Sequence, residues 1–258
     1  MLKHRLVAVL IVSDGRVVQS IKFRHTNAIH YDPLHAIESF NKWSVDEIVL
    51  LNVSRYRESR AAFAEITDRI SRYCFVPLSI GGWIDEEDYA KVILRSGADK
   101  IVVNTILADD PELVTRLSLR YGRQCIVGSM DTKREEPHSV MVWIDRGKRS
   151  TGVSAVEWAK RAARLGCGEI LFNSIDHDGA RKGYDLETLT QVCECVDIPV
   201  IAFGGVFTWG HLVEGIIAGA DAVAAANIFH YTEQATRKAK SYMAQKGIKV
   251  RTEGREHV

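Results

Sequence analysis

The stretch Glu47-Ile48-Val49-Leu50-Leu51-Asn52 is an apolar run that opens with a carboxylate, and it returns later in the chain as Glu169-Ile170-Leu171-Phe172-Asn173. Two more segments return at nearly the same offset: Ile80-Gly81-Gly82 as Phe203-Gly204-Gly205, and Gly97-Ala98-Asp99 as Gly219-Ala220-Asp221. A half of about 120 residues, with several strand and helix signals, is therefore written twice.

Short runs rich in Val, Ile and Leu recur along the chain and are typical of buried parallel strands. They lie near residues 6–12, 47–53, 76–80, 100–104, 124–130, 169–173, 198–203 and 222–226. Helix-start signals lie between them: a capping box at 154–157, Pro111 after Asp110, and Asp85 before an acidic run. Strict alternation in two equal halves predicts the α/β class and a (β/α)8 TIM barrel built from two half-barrel repeats. We expect residues 1–258 to form this single domain, with a frayed tail from about Thr252.

The composition indicates a protein that handles small molecules. The chain has 258 residues, 46% hydrophobic content and a net charge of +1 with scattered basic residues, so we expect no nucleic-acid or membrane partner. Five cysteines and nine histidines without metal-ligand spacing predict free thiols in a reducing compartment, no metal site and no cofactor. The opening apolar run is too short for a membrane span, and we expect a cytoplasmic protein.

Small residues follow several predicted strands, where backbone amides can approach a phosphate. The first half contributes Gly81, Gly82, Asn104 and Thr105, and the second half contributes Asp178, Gly179, Gly204, Gly205, Ala226 and Asn227. For a single Gly-Gly pair, a tight turn is the favoured explanation. Its recurrence at matching strand ends favours two phosphate-binding sites on opposite sides of the barrel mouth, and hence a long ligand with a phosphate at each end.

Asp131 ends an apolar run at the place where a barrel enzyme keeps its general acid or base. Carried back by the repeat offset, it falls opposite Ile11. The alternative is a turn-capping aspartate. Asp176 and Asp178 flank His177 and could polarise a substrate or cap the next turn. We expect Asp176 rather than His177 to be functional, because alternate residues point in opposite directions.

Charged residues stand at the opposite, N-terminal ends of four predicted strands: Arg5, Glu47, Lys100 and Glu169. They would place two cations and two anions in a ring around the barrel floor. Barrel floors are often closed by structural ion pairs, and the pattern by itself favours that interpretation.

Taken together, these residues resemble the cyclase subunit of imidazole glycerol phosphate synthase (HisF), a (β/α)8 family of histidine biosynthesis. The similarity runs through nearly the whole chain and is carried by an ordered set of motifs: Asp14-Gly15-Arg16-Val17-Val18, Gly97-Ala98-Asp99-Lys100, Asn104-Thr105, Ser174-Ile175-Asp176 with Asp178-Gly179, Gly183-Tyr184-Asp185, and Gly219-Ala220-Asp221-Ala222. The resemblance implies a glutaminase subunit docked on the floor and ammonia that travels through the barrel to a substrate with two phosphates. It also implies that Arg5, Glu47, Lys100 and Glu169 form the ammonia gate.

The departures from that family lie at the mouth. Of the family's two catalytic aspartates, one corresponds to Asp131 and the other to Ile11. The family's lysine in the loop after strand 1 corresponds to Gln19, and the aspartate that ends its strand 2 corresponds to Asn52. A third glycine, which follows the Gly-Gly pair in the family, corresponds to Trp83. Each change removes charge or adds bulk. Because acid/base groups typically contribute about 10²–10⁴-fold in rate, we expect the loss of one carboxylate to cripple ring closure.

A divergent branch that resembles this cyclase belongs to bacterial surface-polysaccharide (O-antigen) pathways. There the barrel and its glutaminase supply ammonia to a sugar amidotransferase that makes an acetamidino sugar, and the branch also has an apolar residue at the position of Ile11. This resemblance implies a barrel that passes ammonia on, with a glutaminase, a sugar amidotransferase and a phosphorylated small molecule as partners.

Two alternatives stay open. The chain could be a working cyclase (a lyase) of histidine biosynthesis in which Asp131 suffices. It could also stimulate a glutaminase allosterically without conducting ammonia. Whether the barrel is itself an enzyme is therefore left undecided by the sequence.

Overall fold

The computed structural model describes residues 3–136 and 139–251 of the chain. Its strands are β1 (Arg5–Ser13), β2 (Arg16–Ile21), β3 (His25–His30), β4 (Glu47–Asn52), β5 (Leu78–Gly81), β6 (Lys100–Val103), β7 (Ile126–Glu136), β8 (Ser139–Ile144), β9 (Arg149–Ser154), β10 (Glu169–Ser174), β11 (Val200–Phe203) and β12 (Ala222–Ala225). The tail expected from about Thr252 lies outside the described residues.

Eight parallel strands close into a barrel. Their order is β1-β4-β5-β6-β7-β10-β11-β12, and β12 pairs with β1 to complete the circle. Every barrel strand coincides with one of the apolar runs in the sequence. The predicted (β/α)8 barrel is confirmed.

Helices on the outside cover the barrel: α1 (Pro33–Lys42), α2 (Ser59–Ser71), α3 (Glu87–Arg95), α4 (Ile106–Asp109), α5 (Pro111–Tyr121), α6 (Ala155–Leu165), α7 (Leu186–Cys195), α8 (Trp209–Ile217) and α9 (Ala235–Gln245). Short 3₁₀ turns occupy Arg123–Cys125 and Asn227–His230. Across residues 3–136 and 139–251, no helix has both the length and the apolar character needed to cross a membrane.

The helix starts follow the capping signals in two of the three predicted places. The Asp110 side chain accepts a hydrogen bond from the first turn of α5, which has proline at its first position. The Ser154 side chain accepts from Glu157 N at the start of α6, as a capping box requires. Asp85 does not cap α3: it lies two residues before the helix and pairs with Arg60.

Two hairpins were not predicted. β2 and β3 follow β1, and β8 and β9 follow β7, so each half carries an antiparallel hairpin after its first strand. The prediction of a helix directly after every strand was wrong at these two places. β9 and much of β8 are half-buried or exposed, which leaves a weak apolar signal. Because the hairpins stand at equivalent positions, they extend the twofold repeat to the mouth.

The apolar side chains form two layers, as strand alternation requires. Leu6, Ala8 and Leu10 of β1 point outward and pack against the helices. Val7 and Val9 point into the barrel. Arg5, which precedes them on the same inward face, is thereby directed to the floor.

A buried ion pair anchors the floor ends of the strands. Lys240 of α9 lies 2.6 Å from Asp46 Oδ1, and both side chains are almost fully buried. The second carboxylate oxygen of Asp46 accepts a hydrogen bond from Leu6 N. Since Asp46 and Leu6 adjoin Glu47 and Arg5 in the chain, this contact positions two of the floor charges.

Candidate functional site

The floor of the barrel carries a closed ring of ion pairs. Arg5 Nη1 lies 2.6 Å from Glu47 Oε2, and Arg5 also binds Glu169. Lys100 completes the ring, with its Nζ 2.9 Å from Glu47 Oε1 and 2.8 Å from Glu169 Oε2. Ser79 donates its hydroxyl to Glu47. The four charges that the sequence placed on the floor thus contact one another in a single network.

The carboxylates of this ring are buried more deeply than its cations. The side chains of Glu47 and Glu169 are 2% and 7% exposed, whereas those of Arg5 and Lys100 are 25% and 20% exposed. Burial alone would lower the pKa of Lys100, but the two carboxylates outweigh it and raise that pKa above its ordinary value. The same balance raises the pKa of Arg5. Both cations therefore remain charged at neutral pH.

The barrel interior above the ring is apolar. The side chains that fill it belong to one buried cluster: Val7, Val9, Ile11, Val49, Val102, Val127, Leu171, Ile201, Ala222 and Ala224. The two alanines of β12, together with Ser79 and Gly81 of β5, keep two sides of this interior small. Among the described residues, the side chains of this cluster between the floor ring and the mouth carry no charge.

Asp131 stands at the mouth end of β7 and is 9% exposed. Its Oδ2 accepts a hydrogen bond from Asn104 Nδ2 at 2.9 Å, and its Oδ1 accepts one from Asn173 Nδ2 at 3.0 Å. Burial raises the pKa of Asp131 to about 6. The two amide hydrogen bonds lower this pKa, and the charge of Asp178 raises it by a smaller amount. A carboxyl group that changes protonation near neutral pH is suited to acid/base catalysis.

Ile11 lies at the mouth end of β1, beside Leu51 in the strand register. It is 6% exposed and packs within the interior cluster. It brings no polar group to the mouth. The carboxylate pair that the family resemblance implies, at the ends of β1 and β7, is reduced here to Asp131.

Asp178 follows β10 and holds the β2–β3 hairpin in place. Its Oδ2 accepts from Ser20 Oγ at 2.6 Å and, more weakly, from Phe23 N at 3.4 Å, while its backbone oxygen accepts from Lys22 N. Burial raises the pKa of Asp178, and these hydrogen bonds oppose the change. The aspartate predicted for a phosphate site thus also docks a hairpin against the mouth.

A pocket of about 220 Å³ opens beside this aspartate. Its lining includes all six residues predicted for the second-half phosphate site, namely Asp178, Gly179, Gly204, Gly205, Ala226 and Asn227. Gln19 and Arg181 also line it, and Arg181 supplies a positive charge. The Oδ1 atom of Asn227 is buried without a hydrogen-bond partner in the described structure, which leaves an acceptor for a donor group of a ligand.

Close backbone contacts explain why glycines line this pocket. Gly204 and Gly205 have φ values of +94° and +90°, a region in which side chains are strained. A Cβ at Gly205 would overlap the carbonyl oxygen of Gly183, and one at Gly204 would lie 2.5 Å from Asn173 Oδ1. The pocket wall and the amide that binds Asp131 are therefore in direct contact.

The matching Gly-Gly pair of the first half also has close neighbours. A Cβ at Gly81 would lie 2.8 Å from Val102 Cβ and 2.9 Å from Leu51 Cδ2. Gly82, with φ +111°, lies against the backbone of Asn52. Packing accounts for both glycines, and a phosphate site at Gly81 and Gly82 stays a prediction.

The β8–β9 turn covers this side of the mouth. Asp145 N donates to Thr105 Oγ1 at 3.2 Å, and Thr105 in turn contacts Asn104. The guanidinium of Arg146 lies 5.4 Å from the ring centre of Trp83. Thr105 is thus engaged by protein, and Trp83 stands under a hairpin rather than in an open phosphate cradle.

Three further residues singled out in the sequence have structural partners. Asn52 donates to Ser59 Oγ and accepts from Ser54 N, so at the mouth end of β4 its side chain faces the following loop and not the barrel interior. Asp176 accepts from Arg134 N at the end of β7. His177 Nδ1 lies 2.7 Å from the carbonyl oxygen of Gly183.

The sequence did not indicate three residues that surround Asp131. Asn173 binds it directly. Trp143 of β8 is its partner in the antiparallel register, and Lys133 Nζ lies 4.2 Å from the centre of the Trp143 ring. Asn173 stands in the repeated stretch and could have been found from strand alternation, because Glu169, Leu171 and Asn173 share a face. Trp143 and Lys133 depend on the unpredicted hairpin.

The thiols lie apart from this chemistry. All five cysteines are free. Burial raises the pKa of Cys167 and of Cys193 to about 12, which disfavours the nucleophilic thiolate. In the part of the chain that the structure describes, no three His, Cys, Asp or Glu side chains are grouped as metal ligands.

Comparison with known proteins places these features in a family context. A family model described as "Histidine biosynthesis protein" matches residues 5–235. The imidazole glycerol phosphate synthase subunit HisF of Mycobacteroides abscessus is 41% identical over 253 residues, which cover 96% of this chain and 98% of that protein. The range matched by the family model contains the floor ring, the interior cluster and the mouth.

Proposed function

This chain belongs to the histidine biosynthesis protein family, and we propose that it is the cyclase-type barrel subunit of a glutamine amidotransferase pair. In this proposal a glutaminase subunit docks on the floor and releases ammonia there. The ammonia passes the ring of charges, crosses the apolar interior and meets a phosphorylated acceptor at the mouth. The relative named imidazole glycerol phosphate synthase subunit HisF supports the general class.

One observation carries the proposal: a closed ring of four charges lies directly beneath an apolar interior. The ring can open at one cation without stranding a buried charge. If Lys100 swings toward solvent, Glu47 and Glu169 each keep Arg5 as a partner. Leaving a buried carboxylate unpaired costs about 3–5 kcal/mol. A second cation for each carboxylate avoids this cost when the ring opens, which a gate needs and a permanently closed structural plug does not.

The apolar interior favours ammonia over ammonium. A charged ammonium would have to leave water and enter a cluster of Val, Leu, Ile and Ala side chains, which is strongly unfavourable. Neutral ammonia carries no such penalty. The barrel would therefore conduct the reactive, unprotonated ammonia and keep it separated from solvent.

The altered mouth supports a finer proposal, that the ammonia goes to an acceptor other than the cyclase substrate. Ile11 supplies no proton transfer, and Gln19 is neutral and accepts a hydrogen bond from Tyr231 OH. We place the acceptor in acetamidino-sugar formation for a surface polysaccharide, with a sugar amidotransferase as third partner. The motif resemblance supports this assignment.

A second candidate, an active cyclase of histidine biosynthesis, is favoured by Asp131. Its pKa of about 6 lets one carboxyl group accept and return a proton near neutral pH. The 41% identity to a HisF subunit agrees with this alternative. The two candidates differ in whether one carboxylate suffices for ring closure.

A cyclase assay separates them. The purified barrel is mixed with the bis-phosphate nucleotide substrate and an ammonium salt, beside the Ile11→Asp variant. The ammonia-delivery proposal expects wild-type turnover about 10²–10⁴-fold below that of an ordinary cyclase, with a gain in the variant. Ordinary turnover by the wild type would establish the second candidate and reject the first.

A coupling assay tests the gate itself. The barrel is purified with its glutaminase, and glutamine hydrolysis is compared with the appearance of aminated product for the wild type, Lys100→Met and Lys100→Arg. We expect Lys100→Met to lower the ratio of product to glutamate, because it removes one gate cation, and Lys100→Arg to preserve more of it. Unchanged coupling in Lys100→Met, with altered glutaminase rate, would favour a purely allosteric role.

A further inference from the structure

An indole ring beside Asp131 has an unused hydrogen-bond donor. Trp143 and Asp131 are direct partners in the β7–β8 register, so their side chains share one face and their Cβ atoms lie about 4.5–5.5 Å apart. The Nε1 atom of Trp143 is buried and has no acceptor in the described structure. Buried indole N–H groups usually find a partner. An acceptor brought by a ligand would satisfy it.

A cation sits on the same indole. Lys133 lies two residues beyond Asp131 on β7, and its Nζ is 4.2 Å from the centre of the Trp143 ring. The contact is a cation–π interaction. It holds the ammonium at the mouth while leaving N–H donors of Lys133 free to point elsewhere. Asp131 does not take up this charge, since its oxygens accept from Asn104 and Asn173.

On the side of the mouth next to these residues, several of the groups predicted for a phosphate site are engaged by protein in the described structure. Gly81 and Gly82 are packed against Leu51, Val102 and Asn52, and Thr105 accepts from the β8–β9 turn. The open pocket lies on the other side, at Gly204 and Gly205. A ligand with two anionic ends needs a second holding point.

We propose that Trp143 and Lys133 are that holding point: the indole Nε1–H and the ammonium together bind an anionic oxygen of the phosphorylated ligand. The inference rests on the proposed function, in which a phosphorylated molecule occupies the mouth. Trp143 and Lys133 bind and position the ligand. The proton transfer stays with Asp131.

Calorimetric titration with the bis-phosphate nucleotide substrate of the cyclase, in the absence of ammonia, tests the pair. Trp143→Phe keeps the aromatic ring and removes the donor; we expect it to weaken binding roughly 10- to 100-fold, the range for a hydrogen bond to a charged group. Lys133→Met should weaken binding by roughly tenfold and reduce its salt dependence, while Lys133→Arg should retain most of the affinity. The dephosphorylated compound should bind the wild type and Trp143→Phe equally.

Trp158→Phe is the matched control. Trp158 lies in α6, is buried, and also has an Nε1 without an acceptor, but it packs in the outer layer. In ¹⁵N–¹H spectra, the indole resonance of Trp143 is identified as the one that is missing from Trp143→Phe. This resonance should shift when ligand is added to the wild type, and the Trp158 resonance should not.

The outcomes separate the inference from the function it rests on. If Trp143→Phe binds the ligand as tightly as the wild type, or if Trp158→Phe loses as much affinity as Trp143→Phe, the role of Trp143 is overturned and the proposed function is not. An unshifted Trp143 resonance at saturation does the same. A wild type that does not bind the bis-phosphate substrate overturns both the inference and the proposal that the mouth holds this class of ligand.

Discussion

Replacing Asp131 by asparagine should stabilise the protein above about pH 6 and destabilise it at pH 4. The carboxyl group is 9% exposed, and burial raises its pKa from 3.8 to about 6. A folded-state pKa above the unfolded value means that ionisation opposes folding. The penalty is absent below the unfolded pKa, grows as the pH rises from about 4 to about 6, and is complete above that.

The magnitude follows from the two pKa values. At 1.36 kcal/mol per pKa unit, the ionised carboxylate lowers stability by about 3 kcal/mol. Asparagine removes this penalty but turns an amide donor toward Asn104 or Asn173, where Asp131 presented only acceptors. The lost hydrogen bond costs about 1 kcal/mol at every pH. We therefore expect a net gain of about 1–2 kcal/mol at pH 8 and a net loss at pH 4.

Urea unfolding between pH 4 and pH 8, followed by circular dichroism, measures this difference. The free energy of unfolding of Asp131→Asn minus that of the wild type should increase by about 2–3 kcal/mol across the range. Gly152→Ala, which changes no titratable group and meets nothing within 4 Å, should show a nearly constant difference. A constant difference for Asp131→Asn as well would refute the argument, since it would mean that Asp131 is not desolvated in the folded barrel.

Three further predictions concern stability. Gly205→Ala should lower the free energy of unfolding in urea by more than about 2 kcal/mol, because its Cβ would overlap Gly183 O at φ +90°. Gly152→Ala meets nothing within 4 Å and should cost only the roughly 1 kcal/mol of a positive φ. Equal costs for the two variants would contradict the close approach at Gly205. Ser154→Ala should lower stability by about 1 kcal/mol through loss of the α6 cap, and restoration by Ser154→Asp checks that capping is the cause. Burial lowers the pKa of His230 from 6.5 to about 4, so stability should fall as the pH falls from about 6.5 to 4; His230→Phe should flatten this acid limb in thermal melts, and an unchanged limb would assign it to other groups.

The barrel could be predicted because its signal is redundant. Eight apolar runs, two capping motifs and a repeat all agree, and parallel strands buried on both faces leave continuous apolar runs in the sequence. The hairpins could not be predicted on the same grounds. Arg149–Ser154, for example, has no buried residue, so its strand pairing is set by its partner β8 and not by an apolar pattern of its own.

The floor and the mouth differ in how far the sequence could describe them. Arg5, Glu47 and Glu169 each begin an inward-facing alternation, so strand periodicity alone brings them together. At the mouth, contacts come from loops and hairpins. Asp178 binds Ser20 across 158 residues of chain, and nothing in the local sequence of either residue indicates that contact.

The same dipeptide has two different environments in the two halves, and this bears on function. Gly81-Gly82 lies against Leu51 and Asn52, while Gly204-Gly205 lines an open pocket. The neighbours decide the difference: the inward residue at the end of β4 is Leu51, and its counterpart on β10 is Asn173, which binds Asp131. The half that keeps an amide at this position also keeps the carboxylate and the pocket. The half that has Leu51 has Ile11 beside it in the strand register. The two apolar residues bring no proton-transfer group to their half of the mouth, while the floor ring takes three of its members, Arg5, Glu47 and Lys100, from that half and Glu169 from the other. Under the proposed function, this asymmetry would leave the floor able to receive ammonia while changing the chemistry available at the mouth.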